Sequence, residues 1–318
     1  MNNKYSVSIA MCTYNGEKYI EEQLNSILAQ TRKPDELVIC DDRSTDNTIT
    51  IINHFKNEAP FEVRLFQNLT QLGSTKNFEK AVTECTGDLI FFADQDDVWE
   101  KEKIQVMEQK FLESPNASIV ITDADMVNQD LISLGYSLWE SIPFTKEEQN
   151  IFQKNSLDVL LKKNVITGAT MAVKSESINK TTPFPNKWIH DAWVAMIVAS
   201  MNDGEIILID DNMIKYRQHS NNQLGAKKRN LAEQVNEAKK KQTSVNLDFD
   251  VVEAFLNEND YKVPTNNLMK IKGKNSHVKL RNNLPSSKIG RLGIVLTNLS
   301  GYHKYSNGLK SVLKDIFY

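Results

Sequence analysis

Along residues 6–130, short apolar runs alternate with segments whose apolar positions recur at helical spacing. The runs predict strands at 7–14, 36–40, 63–67, 88–93 and 118–122. Between them Ile20, Leu24, Ile27 and Leu28 fall on one helical face, as do Ile104, Met107, Phe111 and Leu112. Ser44-Thr45-Asp46-Asn47 supplies capping chemistry ahead of a helix carrying Ile49, Ile52 and Phe55. Strands alternating with amphipathic helices predict an α/β fold built on a mostly parallel sheet. Beyond Gly135 the pattern loosens to a short helix near 157–161, a strand at 169–173 and a break at Pro183 and Pro185. The segment 188–201 is apolar nearly all round, which predicts a buried helix, and 206–209 reads as another strand. From about Asn222 the chain has no β character and reads as helices joined by polar loops, with Lys239–Lys241 as a solvated face or linker.

Composition narrows the class. The chain of 318 residues is 40% hydrophobic and 25% charged, ordinary for a globular protein with room for a large domain and a smaller one. Cys12, Cys40 and Cys85 are odd in number and lack CxxC spacing, so they are expected to be thiols in a reducing compartment and not disulfides or zinc ligands. No apolar h-region precedes the first strand and no run approaches the ~20 residues of a membrane span. A cytoplasmic protein is expected, and the absence of GxxxxGK[ST] excludes a P-loop kinase. The net charge of −3 is unevenly spread: residues 261–318 hold eleven basic residues against one acid, Asp315, leaving residues 1–260 at −13. The two parts face different electrostatic partners, and nothing points to nucleic acid.

Candidate chemistry stands at strand ends. Asp94-Gln95-Asp96-Asp97 follows the apolar run Leu89–Ala93, where a doubly wound sheet presents its ligands. If strand geometry persists, Asp94 and Asp96 point to one side, and paired carboxylates suit Mg²⁺ or Mn²⁺ sharing substrate phosphate oxygens. An acidic turn capping the next helix is the alternative. Asp41-Asp42 ends another apolar run; one carboxylate there is able to accept a pyrimidine ring N–H, or both simply cap the following helix. Carboxylates gathered at one sheet edge repel, which calls for a cation among them.

In order and spacing, the block Val7–Gly16 with Cys12-Thr13-Tyr14-Asn15-Gly16, then Gln30-Thr31, then Val38–Asp46, then Phe92-Ala93-Asp94-Gln95-Asp96-Asp97-Val98-Trp99 resemble the successive blocks of family 2 glycosyltransferases. The resemblance implies the GT-A nucleotide-sugar-binding fold, a Rossmann-like mixed sheet flanked by helices, with a helical C-terminal extension. It divides the chain into a catalytic domain at 1–222, with nucleotide binding in about 1–130 and acceptor binding in about 131–222, and a basic helical region at 223–318. Ala93–Trp99 together with Tyr216-Arg217-Gln218-His219-Ser220-Asn221-Asn222 is similar to bacterial rhamnosyltransferases of polysaccharide and cell-wall assembly.

The family's roles carry over as follows. Thr13 and Tyr14 line the nucleobase, with Asp42 or Asp41 bonding its imide N–H. Asp96 binds the metal, Asp94 the ribose or the metal shell, and His219 the diphosphate or metal. Asn15, Glu17, Lys76, Asn77 and Gln95 fall among the donor-binding positions, although Lys76 also reads as a solvated helix charge. Cys12 departs from the Thr or Pro common there, a change that a backbone contact tolerates. His190-Asp191 matches the family's Glu-Asp or His-Asp pair, whose Asp is the general base. The implied enzyme is an inverting, metal-dependent hexosyltransferase using Mn²⁺ or Mg²⁺. It moves a sugar from dTDP-rhamnose or a UDP-sugar to a hydroxyl of a cell-surface glycan or lipid-linked precursor.

Two rivals are of other classes. Asp123-Ala124-Asp125-Met126-Val127 fits the nucleophile loop of haloacid-dehalogenase-type phosphatases, with Ile209-Asp210-Asp211 as its acidic metal motif, but that fold leaves the first 115 residues unexplained. A catalytically inactive transferase-like binding subunit is opposed by the joint presence of Asp42, Asp94, Asp96 and Asp191. At the far end Leu309, Val312, Leu313, Ile316 and Phe317 form one helical stripe with Lys310 and Lys314 off it. That stripe fits docking to the anionic inner face of the cell membrane, and equally packing on the catalytic domain or in a homodimer.

Overall fold

A computed structural model of the chain describes residues 4–219, 248–259 and 261–317. The expected boundary at 222/223, the end of the Tyr216–Asn222 string and the Lys239–Lys241 run lie outside them. Nine strands form one sheet: β1 (Val7–Thr13), β2 (Glu36–Asp41), β3 (Glu62–Gln67), β4 (Leu89–Asp94), β5 (Val98–Trp99), β6 (Ala117–Val127), β7 (Ser133–Ser137), β8 (Met171–Lys174) and β9 (Glu205–Arg217). Their order is β3-β2-β1-β4-β8-β6-β9-β5, with β7 beside β6. The first four are parallel, β8 runs against both β4 and β6, and β9 is parallel to β6.

The five strands expected before residue 130 are present, and burial explains why they were legible. β1, β2 and β4 lie inside the sheet, covered on both faces, so they read as continuous apolar runs. Ser74–Glu84 packs on β1 and β2, while Ile20–Leu28, Thr48–Glu58 and Lys103–Glu113 pack against β5, β3 and β6. Ile20, Leu24 and Ile27 are buried as expected, as are Ile104, Met107 and Phe111, whereas Leu112 is exposed. Leu112 follows Phe111 by about 100° of helical rotation and so falls off the buried stripe. The buried helix expected at 188–201 is His190–Ser200.

Three features depart from expectation. The strand expected at 206–209 runs on to Arg217, through exposed Asp210, Asp211 and Asn212. It stays paired with β6 because β-bulges near Asp123 absorb the irregularity. β5 is only two residues long and pairs with Ile214 and Lys215 of β9, and the exposed β7 lacks apolar alternation. Both escape a reading that depends on periodicity.

The contacts divide the described residues into two compact units: 4–145, 166–198 and 203–219 in the first, and 146–165, 199–202, 248–259 and 261–317 in the second. The second is helical: Lys146–Lys154, Ser156–Leu160, Phe249–Glu258, Thr265–Asn282, Lys288–Thr297, Leu299–Tyr305 and Leu309–Phe317. Val295, Tyr302, Val312 and Ile316 close a small core there. Among the described residues no helix is long and apolar enough to cross a membrane. The three cysteines are free, and burial pushes the Cys40 thiol up to about 12.

Candidate active site at the carboxyl ends of β1, β2 and β4

β2 and β3 lie on one side of β1 and β4 on the other, so the order reverses at β1, the place where open α/β sheets bind ligands. Parallel register sets Thr13 beside Asp41 and Cys12 beside Asp94. The Thr13 hydroxyl donates to Asp41 Oδ2 at 2.8 Å, and Asp41 Oδ1 accepts the Ser44 amide at 2.9 Å. Asp42 Oδ1 accepts Asn68 Nδ2 at 2.8 Å and the Leu72 amide at 2.7 Å, while Oδ2 accepts the Gly73 amide at 2.8 Å. Both carboxylates are buried. They tie down the loops after β2 and β3, and with about four acceptor positions per carboxylate each retains room for one more donor.

Tyr14 is 48% exposed, with its backbone gripped by Gln95. Gln95 Oε1 accepts the Tyr14 amide at 2.9 Å, and Gln95 Nε2 donates to the Tyr14 carbonyl at 3.1 Å. The approach requires Gly16, where a Cβ would stand 2.3 Å from Gln95 Oε1. Asn15 is left-handed at φ 48, and its Oδ1 accepts the Thr45 amide at 2.8 Å. Glu17 Oε2 accepts both the amide and Nδ2 of Asn47 at 2.9 Å, capping Thr48–Glu58 from a distance. Asn77 is buried, donating to the Cys40 carbonyl at 2.7 Å and accepting from Asn68 at 2.8 Å. Lys76 pairs with Glu79 one turn along its own helix at 2.5 Å. Thus Asn15, Glu17 and Asn77 stand in the scaffold, with their polar groups bonded to neighbouring loops.

Strand geometry ends at Asp94, and Gln95 and Asp96 form a turn, so the period of two does not align Asp94 with Asp96. The turn nonetheless crowds the acids. Burial, then the charges of Asp96 and Asp191, push the Asp94 carboxyl up to about 7 against the pull of Lys103. Asp96 Oδ2 lies 2.7 Å from His219 Nε2. Asp97 turns inward: its Oδ1 accepts the Arg217 amide at 3.0 Å, and its buried Oδ2 has no hydrogen-bond partner among the described residues. Lys103 Nζ is buried 3.7 Å from the centre of the Trp99 ring and donates to the Ala169 carbonyl at 2.6 Å.

Asp191 opens the helix His190–Ser200. Its Oδ2 accepts the Gly168 amide at 2.7 Å and its Oδ1 the Ala192 amide at 2.5 Å. The neighbouring His190 stacks against Phe78 and Phe92, which also touch each other, with ring centroids 3.9 and 5.6 Å away. Among the described residues neither of its buried ring nitrogens has a hydrogen-bond partner, and burial lowers its pKa. The structure therefore gathers Asp94, Asp96, Asp97, Asp191 and His219, from three stretches of sequence far apart.

Arg217 is the residue that sequence reasoning missed. Only 1% exposed, it donates from Nε to the Asp96 carbonyl at 2.7 Å, from Nη1 to the Gln129 carbonyl and from Nη2 to Glu22, with its guanidinium 4.5 Å from the Tyr19 ring centre. In the sequence it stood only within the string Tyr216–Asn222, with no role of its own. Lys103 gave no signal, since an exposed first-turn lysine reads the same way.

Asp123, offered above as a phosphatase nucleophile, is buried within β6, and its Oδ1 accepts the Ala124 amide at 2.8 Å and the Trp139 amide at 2.9 Å. It holds the strand to the following helix, which overturns the phosphatase reading.

A reversed sheet order with acids at its carboxyl edge marks a ligand-binding α/β fold. The Glycosyl transferase family 2 model matches residues 8–167, and the chain belongs to that family. It is 30% identical over 230 residues to the dTDP-rhamnosyl transferase RfbG of Shigella flexneri, covering 68% of this chain and 74% of that one. It is 27% identical over 215 residues to the UDP-Glc:alpha-D-GlcNAc-diphosphoundecaprenol beta-1,3-glucosyltransferase WfgD of Escherichia coli, covering 67% and 77%. In fold it is similar to the mannosyltransferase PcManGT of Pyrobaculum calidifontis in complex with GDP-Man and Mn²⁺, at TM-score 0.58 and 17% identity over 98% of this chain and 79% of that one. The chain is thus a glycosyltransferase with a mixed GT-A sheet and a helical C-terminal region.

Proposed function

We propose that this enzyme transfers a sugar, with inversion, from a dTDP- or UDP-linked donor to a hydroxyl of a lipid-linked glycan precursor at the cytoplasmic face of the membrane. The observation that carries the reading is the gathering of Asp94, Asp96 and Asp191 beside the reversal at β1. Rhamnose on dTDP is favoured by the likeness to RfbG, and a lipid-diphosphate acceptor by the likeness to WfgD.

Thr13, Tyr14, Gln95 and the open acceptor positions of Asp41 and Asp42 form the nucleoside wall. Asn15, Glu17 and Asn77 hold that wall in place, and Lys76, paired with Glu79, reads as a helix charge. Among the described residues no group of three or more His, Cys, Asp or Glu side chains is placed to hold a metal ion by itself. Asp94, Asp96 and His219 instead offer a partial set of the kind that suits Mn²⁺ or Mg²⁺ completed by substrate oxygens and water. Such an ion, when bound, would stabilise charge on the departing diphosphate. Asp191 takes the acceptor proton as the new bond to the sugar forms. Two backbone amides at the helix N-terminus hold its carboxylate in place.

Thermal denaturation against a panel of nucleotide sugars with Mn²⁺ tests the donor. The cognate donor at 100 times its Kd should stabilise by about 2.7 kcal/mol. A panel in which no dTDP- or UDP-sugar raises the melting temperature overturns the donor class.

Arg217 supports the turn through the Asp96 carbonyl, so Arg217→Lys is expected to raise the Mn²⁺ concentration for half-maximal turnover. Lysine keeps the charge but lacks the fork that reaches several acceptors at once. Losing one charge-assisted bond predicts a shift of about tenfold or more. An unchanged Mn²⁺ requirement, with only a lower melting temperature, would confine Arg217 to stability.

A further inference from the structure

Two packed helices of the second unit each leave an apolar stripe uncovered. On Leu309–Phe317 the inward positions are Ser311, Val312 and Ile316, so the stripe expected from the sequence divides. Val312 and Ile316 enter the small core, while Leu309, Leu313 and Phe317 stay 64%, 55% and 54% exposed. These three lie within about 80° of helical arc, bordered by Lys310 and Lys314. On Lys288–Thr297, Val295 is the buried residue. Ile289, Leu292 and Leu296 are exposed, Ile289 at 87%. Six large apolar side chains concentrated on two helices exceed the single, scattered exposure normal for a surface.

The charges around the stripes select the partner. Asp315, the one acid among residues 261–317, is withdrawn from the surface: Arg281 grips it at 2.6 and 2.7 Å, and the Tyr302 hydroxyl donates to it at 2.7 Å. Earlier cations of the unit are neutralised, Lys270 by Asp158, Lys272 by Glu253 and Lys279 by Asp250. Lys288, Lys304, Lys310 and Lys314 are exposed and, among the described residues, make no ion pair. A second copy meeting this face about a two-fold axis would set these lysines against one another with no acid between them. Anionic headgroups offset them, and the acyl boundary receives the apolar side chains.

We propose that Lys288–Thr297 and Leu309–Phe317 form a docking surface for an anionic lipid bilayer, which rests for its setting on the membrane-face acceptor proposed above. The test is flotation of the full chain with phosphatidylcholine vesicles, with and without phosphatidylglycerol. The protein should float only with phosphatidylglycerol, and less as salt rises. Each lysine near such a surface contributes about fivefold, so K310Q with K314Q should weaken partitioning about 25-fold. L313D with F317D, at exposed positions, should abolish flotation with an unchanged melting temperature. Equal flotation on both vesicles, no flotation on either, full flotation by the variants, or a dimer that L313D dissociates would each overturn docking. Mn²⁺-dependent hydrolysis of the nucleotide sugar is followed in parallel. Its loss in the intact protein with flotation retained counts against the catalytic reading alone, and loss of flotation with hydrolysis retained counts against docking alone.

Discussion

Asp96→Ala is expected to remove divalent-dependent transfer while leaving the fold intact. The side chain lies in a partly exposed turn, and its partner is His219. Arg217 grips the backbone carbonyl of residue 96 and the carboxylate of Asp97, neither of which the substitution removes. The turn therefore keeps its anchor while the charge that faces a cation is lost. At an effective dielectric of ~20, opposite unit charges ~4 Å apart interact by about 4 kcal/mol, close to three powers of ten in rate. Asp96→Asn should behave alike, because its amide can still meet His219 but carries no charge. The measurement is turnover against Mn²⁺ or Mg²⁺ concentration, with a melting curve as control. Transfer retained in the alanine variant, or full activity in excess EDTA, would sink the metal assignment.

For Asp191→Asn the expectation is near-normal donor binding with turnover lower by roughly 10²–10⁴, the scale of general-base catalysis. The geometry adds a second effect. Asp191 accepts one amide on each oxygen, from Gly168 and from Ala192. Asparagine supplies one acceptor and one donor, so an amide N–H is left facing an NH₂ group, at a cost of about 1–3 kcal/mol. The melting temperature should fall with the rate, and donor affinity separates the two effects. If affinity collapses while the residual rate per bound donor holds, the residue belongs to the binding shell and the base lies elsewhere. NMR of the glycoside should find the anomeric configuration inverted.

Much of this was legible in the chain because the central strands are buried on both faces. Val7–Thr13, Glu36–Asp41 and Leu89–Asp94 each end in polar residues where the apolar run stops, so strand and candidate site are marked by one boundary. The strand geometry expected to run through Asp96 failed because a turn lets Asp97 point inward to Arg217 while Asp96 meets His219. Asn15, Glu17 and Asn77 carry polar side chains at the edge of the site, and their type says nothing about whether a ligand or a neighbouring loop takes their hydrogen bonds. Likewise the stripe Leu309–Phe317 has a period, but period alone does not divide it between Val312 facing a core and Leu313 facing outward.

The sequence by itself determined the parallel half of the sheet, the amphipathic helices that cover it and the acids at its carboxyl edge, because local periodicity and abrupt polarity changes are properties of neighbouring residues. What the tertiary structure decided was which distant groups meet. The β-bulges near Asp123 let a polar strand remain paired as far as Arg217, which brings His219 to Asp96. The packing of Gly168 against residues 190 and 191 fixes the carboxylate of Asp191 within reach of Asp94's field. Such meetings depend on contacts across 23 and 123 residues of chain, where no short-range pattern carries the information.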